Sequence, residues 1–250
     1  MGNGSILKPL NIGVFGSSYS RGNSEVIDPE RPHAKVSVTG WPYELSKICE
    51  HQIYNHSIGG ASVDFMLKQY WKQKHMNFDV CIFDAATMMR YTIEVNKPKM
   101  ERQTPNYSEY TNENINAEIL RYTASRDAVY SDEERASEHY QIWKDKLAFH
   151  EDQVRKDYLS SLKEIQKLAD IIFFQCIGHY KRAYKTMEQT TDKWWTNPTR
   201  EELDGIPIIE DLMPADLWEE YTIDQACHFN DFGSKWLARW MLKQIESQYA

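Results

Sequence analysis

Short apolar runs alternate along the chain with longer stripes of helical period, and that alternation predicts its elements. Leu10-Asn11-Ile12-Gly13-Val14-Phe15-Gly16 is a brief apolar run closed by glycine and serine, as a buried first strand would be. Trp41 to Glu50 reads as a helix, with Thr39 placed to cap it and Pro42 in its first turn, where a missing N–H is harmless. Gln52-Ile53-Tyr54-Asn55 fits a second strand running out towards Gly59-Gly60. Val63, Met66, Leu67, Tyr70 and Trp71 keep the spacing of an amphipathic helix from Val63 to His75. Phe78-Asp79-Val80-Cys81-Ile82-Phe83 predicts a third strand and Asp170-Ile171-Ile172-Phe173-Phe174-Gln175-Cys176 a fourth. Gly205-Ile206-Pro207-Ile208-Ile209 predicts a short fifth strand at an edge, since Pro207 has no N–H for a ladder. Between the third and fourth, residues 91–138 are polar without a clear period and read as a surface excursion or lid. Tyr140, Trp143, Leu147, His150, Val154, Tyr158, Leu162, Ile165 and Ala169 then follow in steps of three and four, one continuous apolar helix face. Trp236, Leu237, Trp240, Met241 and Ile245 mark a closing helix from Gly233 to Gln248.

Strands separated by helices imply parallel pairing, because a parallel crossover needs a connection of helix length. The expected fold is α/β: a three-layer α/β/α sandwich around a mostly parallel five-stranded sheet, flavodoxin-like in plan. Residues 1–250 form one domain in this reading, with a polar and helical insertion at about 91–165. In such folds ligands sit beyond the carboxyl ends of the strands. Three polar or glycine-rich clusters fall there: 16–24, 55–62 and 84–92.

Charge narrows the function. Lys and Arg number 29 against 37 Asp and Glu, a net charge of −8, which argues against a general nucleic-acid binder, whose affinity needs a basic face. No apolar run approaches a membrane span and no secretory leader is visible, so a cytoplasmic protein without membrane contact is expected. Cys49, Cys81, Cys176 and Cys227 form no CxxC pair, and reduced thiols fit that compartment. No metal site is expected, because His56 and His228 have no third ligand at sensible spacing.

Three stretches carry candidate chemistry. In Gly16-Ser17-Ser18-Tyr19-Ser20-Arg21-Gly22, a serine just past a tight glycine turn can project its hydroxyl into the crevice. In Asn55-His56-Ser57-Ile58-Gly59-Gly60-Ala61-Ser62, glycine allows close backbone approach and frees an N–H. In Thr222-Ile223-Asp224-Gln225-Ala226-Cys227-His228, an acid precedes a histidine just before the last helix. A serine nucleophile needs a base, and the base needs an orienting acceptor.

The ordered set resembles the SGNH hydrolases, also called GDSL esterases and lipases. Phe15-Gly16-Ser17-Ser18-Tyr19-Ser20 stands where that family has strand-G-D-S-x-S, the Asn55 to Ser62 stretch where it has an oxyanion glycine, and Asp224 to His228 where it has D-x-x-H. The resemblance implies Ser18 as nucleophile and oxyanion N–H donor, Gly60 as second donor, His228 as general base and Asp224 as its orienting acid. It also implies an acyl-enzyme and no cofactor. Three departures stand out. Ser17 replaces the family's Asp; Thr87 falls nearest the family's oxyanion Asn, with Arg90 nearby as a source of positive charge; and Asp224 lies four rather than three residues before His228. The expected substrate is a small acyl ester, with O-acetyl carbohydrate preferred because Trp194-Trp195 in a loop suits a sugar ring. Two alternatives stay open: a degenerate member that binds a glycan or acyl group without cleaving it, and a flavodoxin-like FMN oxidoreductase whose phosphate sits on Gly16 to Ser24. His150 on the helix stripe is expected to be packed or at an interface; His179, after the fourth strand, is expected to meet substrate near the crevice or to be exposed to solvent. Oligomeric state is not legible.

Overall fold

A computed structural model of the chain describes residues 8–22, 25–27, 35–37, 39–85, 90–96, 117–123, 136–175, 198–214, 217, 221 and 228–249. Its centre is a parallel sheet of four strands: β1 (Asn11–Phe15), β4 (Gln52–Asn55), β5 (Val80–Ala85) and β8 (Ile171–Phe174), in the order β4-β1-β5-β8. Ile12 lies opposite Ile53 on one side and Val80 on the other, and Ile82 opposite Ile171. The strands end together, so the loops after β1, β4 and β5 share one rim.

Strand alternation sorts the core into two faces. Ile12, Val14, Val80, Ile82, Ile171 and Phe173 pack with Trp41, Leu45, Leu237, Met241 and Ile245 of α2 (Trp41–Ile48) and α8 (Asp231–Tyr249). Phe15, Phe83, Ala85 and Phe174 pack the opposite way, with Phe65 and Met66 of α3 (Val63–Gln73) and Tyr158, Leu162 and Ile165 of α5 (Glu151–Leu168). Helices thus cover both faces, the three-layer arrangement that the apolar pattern predicts.

Several details differ from expectation. The fifth strand is reduced to one parallel bridge, Phe174 with Ile208. The Phe174 N–H does donate to the Pro207 carbonyl at 2.8 Å, but Pro207 cannot donate in return. After the single turn α6 (Arg200–Leu203), α7 (Ile209–Leu212) begins at the next residue after Ile208 and takes up the backbone. The long apolar stripe is two helices, α4 (Glu138–Phe149) and α5, broken at His150, whose φ −134° and ψ 32° are not helical. His150 is exposed rather than packed; its N–H still donates to Lys146 and its carbonyl accepts from Val154, so the break spans one residue. α2 starts from Gly40 at φ +91°, so Gly40 and not Thr39 occupies the N-cap position. The polar stretch holds β6 (Arg90–Asn96) paired antiparallel with β7 (Ala117–Thr123), and a further pair joins β2 (Glu25–Ile27) to β3 (Lys35–Ser37). Alternation of Tyr91, Ile93 and Val95 with polar neighbours was the available signal for β6. Among the described residues no helix is long and apolar enough to cross a membrane.

Candidate active site

Ser18 opens α1 (Ser18–Arg21), a single turn at the carboxyl end of the central strand β1. As the first residue of a helix, its N–H has no intrahelical acceptor. Its Oγ lies 2.8 Å from Nε2 of His228, 210 positions away in the chain. With the ring proton on Nδ1, the hydroxyl donates to Nε2, the arrangement a general base needs. The His228 ring also lies 4.9 Å from that of Tyr19.

His228 owes its place to the start of α8. Asn230 Oδ1 accepts from the N–H groups of Phe232 (2.9 Å) and Gly233 (3.0 Å), and the Asn230 N–H donates to the Tyr221 carbonyl at 2.8 Å. Gly233 is required here: a Cβ would lie 2.6 Å from both the Tyr221 carbonyl and the Phe229 ring. Ser18 and His228 open onto a cavity of about 320 Å³ whose other walls include Tyr19, Gly40, Asp231 and Phe232.

The remaining candidates are placed as follows. Gly60 sits in the turn after β4 at φ +76°, a conformation that suits glycine. Its carbonyl accepts from Thr92 Oγ1 at 3.3 Å, and Thr92 Oγ1 in turn accepts from the Ser62 N–H at 3.0 Å. Arg90, at the start of β6, donates from Nη1 to the Ala61 carbonyl at 3.2 Å. Burial lowers its pKa, against the opposing effect of Tyr19 and Asp84. β6 therefore holds the Gly60 turn from behind, and neither Gly60 nor Arg90 is among the residues lining the cavity. Asp224, Thr87, His179, Cys176, Cys227, Trp194 and Trp195 lie outside the described residues. Ser17 is fully buried, and its Oγ has no hydrogen-bond partner among the described residues. Cys81 is a buried thiol pushed by burial up to about 12, which makes it unreactive.

A buried network that no local sequence pattern reveals lies beneath Ser18. Ser20 Oγ donates to Asp84 Oδ2 at 2.6 Å and accepts from Trp41 Nε1 at 2.9 Å, while its carbonyl accepts from Asn55 Nδ2 at 2.9 Å. Asp84, on β5, is wholly buried; burial raises its pKa to about 7, against the opposing pull of Ser20 and Arg90. The signal available in the sequence was an acid set within the apolar run of the third strand.

No protein-family model matches the chain, and no curated protein matches it. Among solved structures, it is similar to a lipase/acylhydrolase from Enterococcus faecalis at 12% identity and a TM-score of 0.45, over 96% of this chain and 97% of that one. It is also similar to a protein named as a GDSL-like lipase from Parabacteroides merdae at 14% identity and a TM-score of 0.40, over 95% and 96% of the two chains. Likeness at this level says nothing about catalysis; the functional reading rests on the side chains.

Proposed function

We propose that the protein is a serine ester hydrolase of the SGNH type, acting on a small acyl ester through an acyl-enzyme. The observation that carries the reading is the 2.8 Å contact between Ser18 Oγ and His228 Nε2 at the mouth of a cavity. His228 takes the Ser18 proton as Oγ attacks the ester carbonyl, then returns it to the leaving alcohol; water repeats the cycle on the acyl-enzyme. Asp224 is the proposed orienting acid for Nδ1, and the N–H groups of Ser18 and Gly60 the donors for the oxyanion. Thr87 and Arg90 complete the proposed set, Arg90 by holding the Gly60 turn. A flavin-phosphate role for the same loop would leave His228 unused.

The cavity favours a neutral ester on a ring-bearing alcohol. Its described lining holds the Asp231 carboxylate, which disfavours an anionic substrate. At about 320 Å³ it is at the small end of ligand pockets, which run from roughly 300 to 1,000 Å³, a size that suits a small acyl group. Phe232, 64% exposed at the rim and stacked on Tyr221 with ring centroids 6.5 Å apart, offers a flat apolar surface for one face of a sugar. An O-acetyl group on a carbohydrate meets these demands. Fluorophosphonate should label the wild type and not Ser18→Ala, and the wild type should release acetate from an acetylated sugar. Labelling that persists in Ser18→Ala defeats the nucleophile assignment.

A further inference from the structure

We propose that Asp84 is a positioning residue for Ser18, acting through the Ser20 hydroxyl to set where α1 holds the nucleophile. The helix is one turn long and takes no side-chain cap from Ser17, so it has no stability of its own and takes its orientation from its attachments. Three of these converge on Ser20, two residues beyond the nucleophile: Asp84 from β5, Trp41 from α2 and Asn55 from β4. One direction is forced: an indole N–H only donates, so Ser20 Oγ must accept from Trp41. With Asp84 ionised, the single Ser20 proton then goes to Asp84 Oδ2. The fit leaves no slack on the other side either, since a Cβ on Gly16 would lie 2.9 Å from both Asp84 Cβ and Ser20 Oγ. Deleting the carboxyl therefore strands a dry hydroxyl proton and opens space under the turn Gly16-Ser17-Ser18. The kinetic consequence rests on the esterase reading above; the placement of α1 does not.

The test uses the full chain with Ser20→Ala, Asp84→Ala and Asp84→Asn. The asparagine keeps an acceptor for Ser20 and the shape of the side chain. Expected for both alanine variants is a fall in kcat of about 10- to 100-fold on phenyl acetate, counted per fluorophosphonate-titrated site, with KM within about twofold. Asp84→Asn should recover most of that loss, which a simple loss of folded protein would not reproduce. In NMR spectra, the His228 ring signals of Ser20→Ala should move from their wild-type positions towards those of Ser18→Ala. Wild-type kcat per titrated site together with wild-type His228 signals in Ser20→Ala overturns the proposal. Ser20→Ala removes a single buried oxygen and carries the test if Asp84→Ala does not fold. A wild type that neither turns over an ester nor reacts with fluorophosphonate counts against the esterase reading instead, and the His228 signals still decide the role of Asp84.

Discussion

Ser18 and His228 reach each other from walls built in different ways. The serine wall is dry: Ser17, Ser20, Trp41 and Asp84 are completely buried, and α1 is tied to two strands and a helix by side-chain hydrogen bonds. The histidine wall is a short piece of backbone before α8, held by the Asn230 cap and by the packing of Gly233, with Phe232 standing out into solvent beside it. Burial fixes the first wall, because a polar group inside must keep its partners. The second is fixed by local backbone bonds and leaves room for a ligand at its rim. A nucleophile gains from a rigid seat; a base beside a binding cavity gains from an open side.

The largest effect expected on this contrast is chemical. Ser18→Ala and His228→Ala should each lower kcat for an acetyl ester by about 10³-fold or more. Thermal unfolding should change little, since both side chains sit at the cavity surface. The residual rate of His228→Ala should rise with pH as hydroxide replaces the missing base. A His228→Ala variant with wild-type kcat would dissolve the pairing of the two walls.

The glycines come next. In Gly22→Ala the new Cβ would lie 2.2 Å from the Thr39 carbonyl oxygen at a φ of +82°, so denaturant unfolding should show a loss of about 3 kcal/mol or more. Gly233→Ala pushes on Phe229, next to His228, and should cost less in stability, about 1–3 kcal/mol, with a clear fall in kcat. Equal losses for the two would mean that the histidine wall is as rigid as the serine wall.

A smaller effect separates the walls by pH. Asp84 holds its proton to about pH 7 in the folded protein, against an ordinary value of 3.8. Below both values the group is protonated in either state and has no effect. Between them only the unfolded chain ionises, so stability falls as pH rises from about 4 to 7, and the slope ends above that. Asp84→Asn does not titrate. Its stability relative to wild type should therefore climb across that window, by on the order of a few kcal/mol at most, measured by urea unfolding at each pH. A constant difference would show that Asp84 is ionised when folded.

The smallest change is expected at the rim. Phe232→Ala should raise KM for an acetylated sugar about three- to tenfold and leave kcat nearly unchanged, as loss of one stacking face would. An unchanged KM removes Phe232 from the proposed sugar platform.

How far the chain could be read before folding follows from the range of the forces involved. The strands β1, β4, β5 and β8 and the helices α2, α3 and α8 were legible because apolar periodicity is local. The chain order of a glycine turn with Ser18, a second glycine turn and a late His228 pointed to the two residues that meet at 2.8 Å. The break at His150 and the loss of the fifth strand to α7 were not legible, because a helix stripe runs on through one irregular residue and Ile208-Ile209 suits strand or helix alike. The ribbon of β6 and β7 was hidden by polar composition, although Tyr91, Ile93 and Val95 do alternate.

By itself the sequence determined the layers, the parallel connectivity and the candidate nucleophile and base, since each is written in neighbouring residues or in their order along the chain. Only the tertiary structure decided that Asp84, Ser20, Trp41 and Asn55 share one buried cluster beneath Ser18. Their separations along the chain run up to 64 residues, and no local pattern specifies which distant hydroxyl will answer a buried carboxyl.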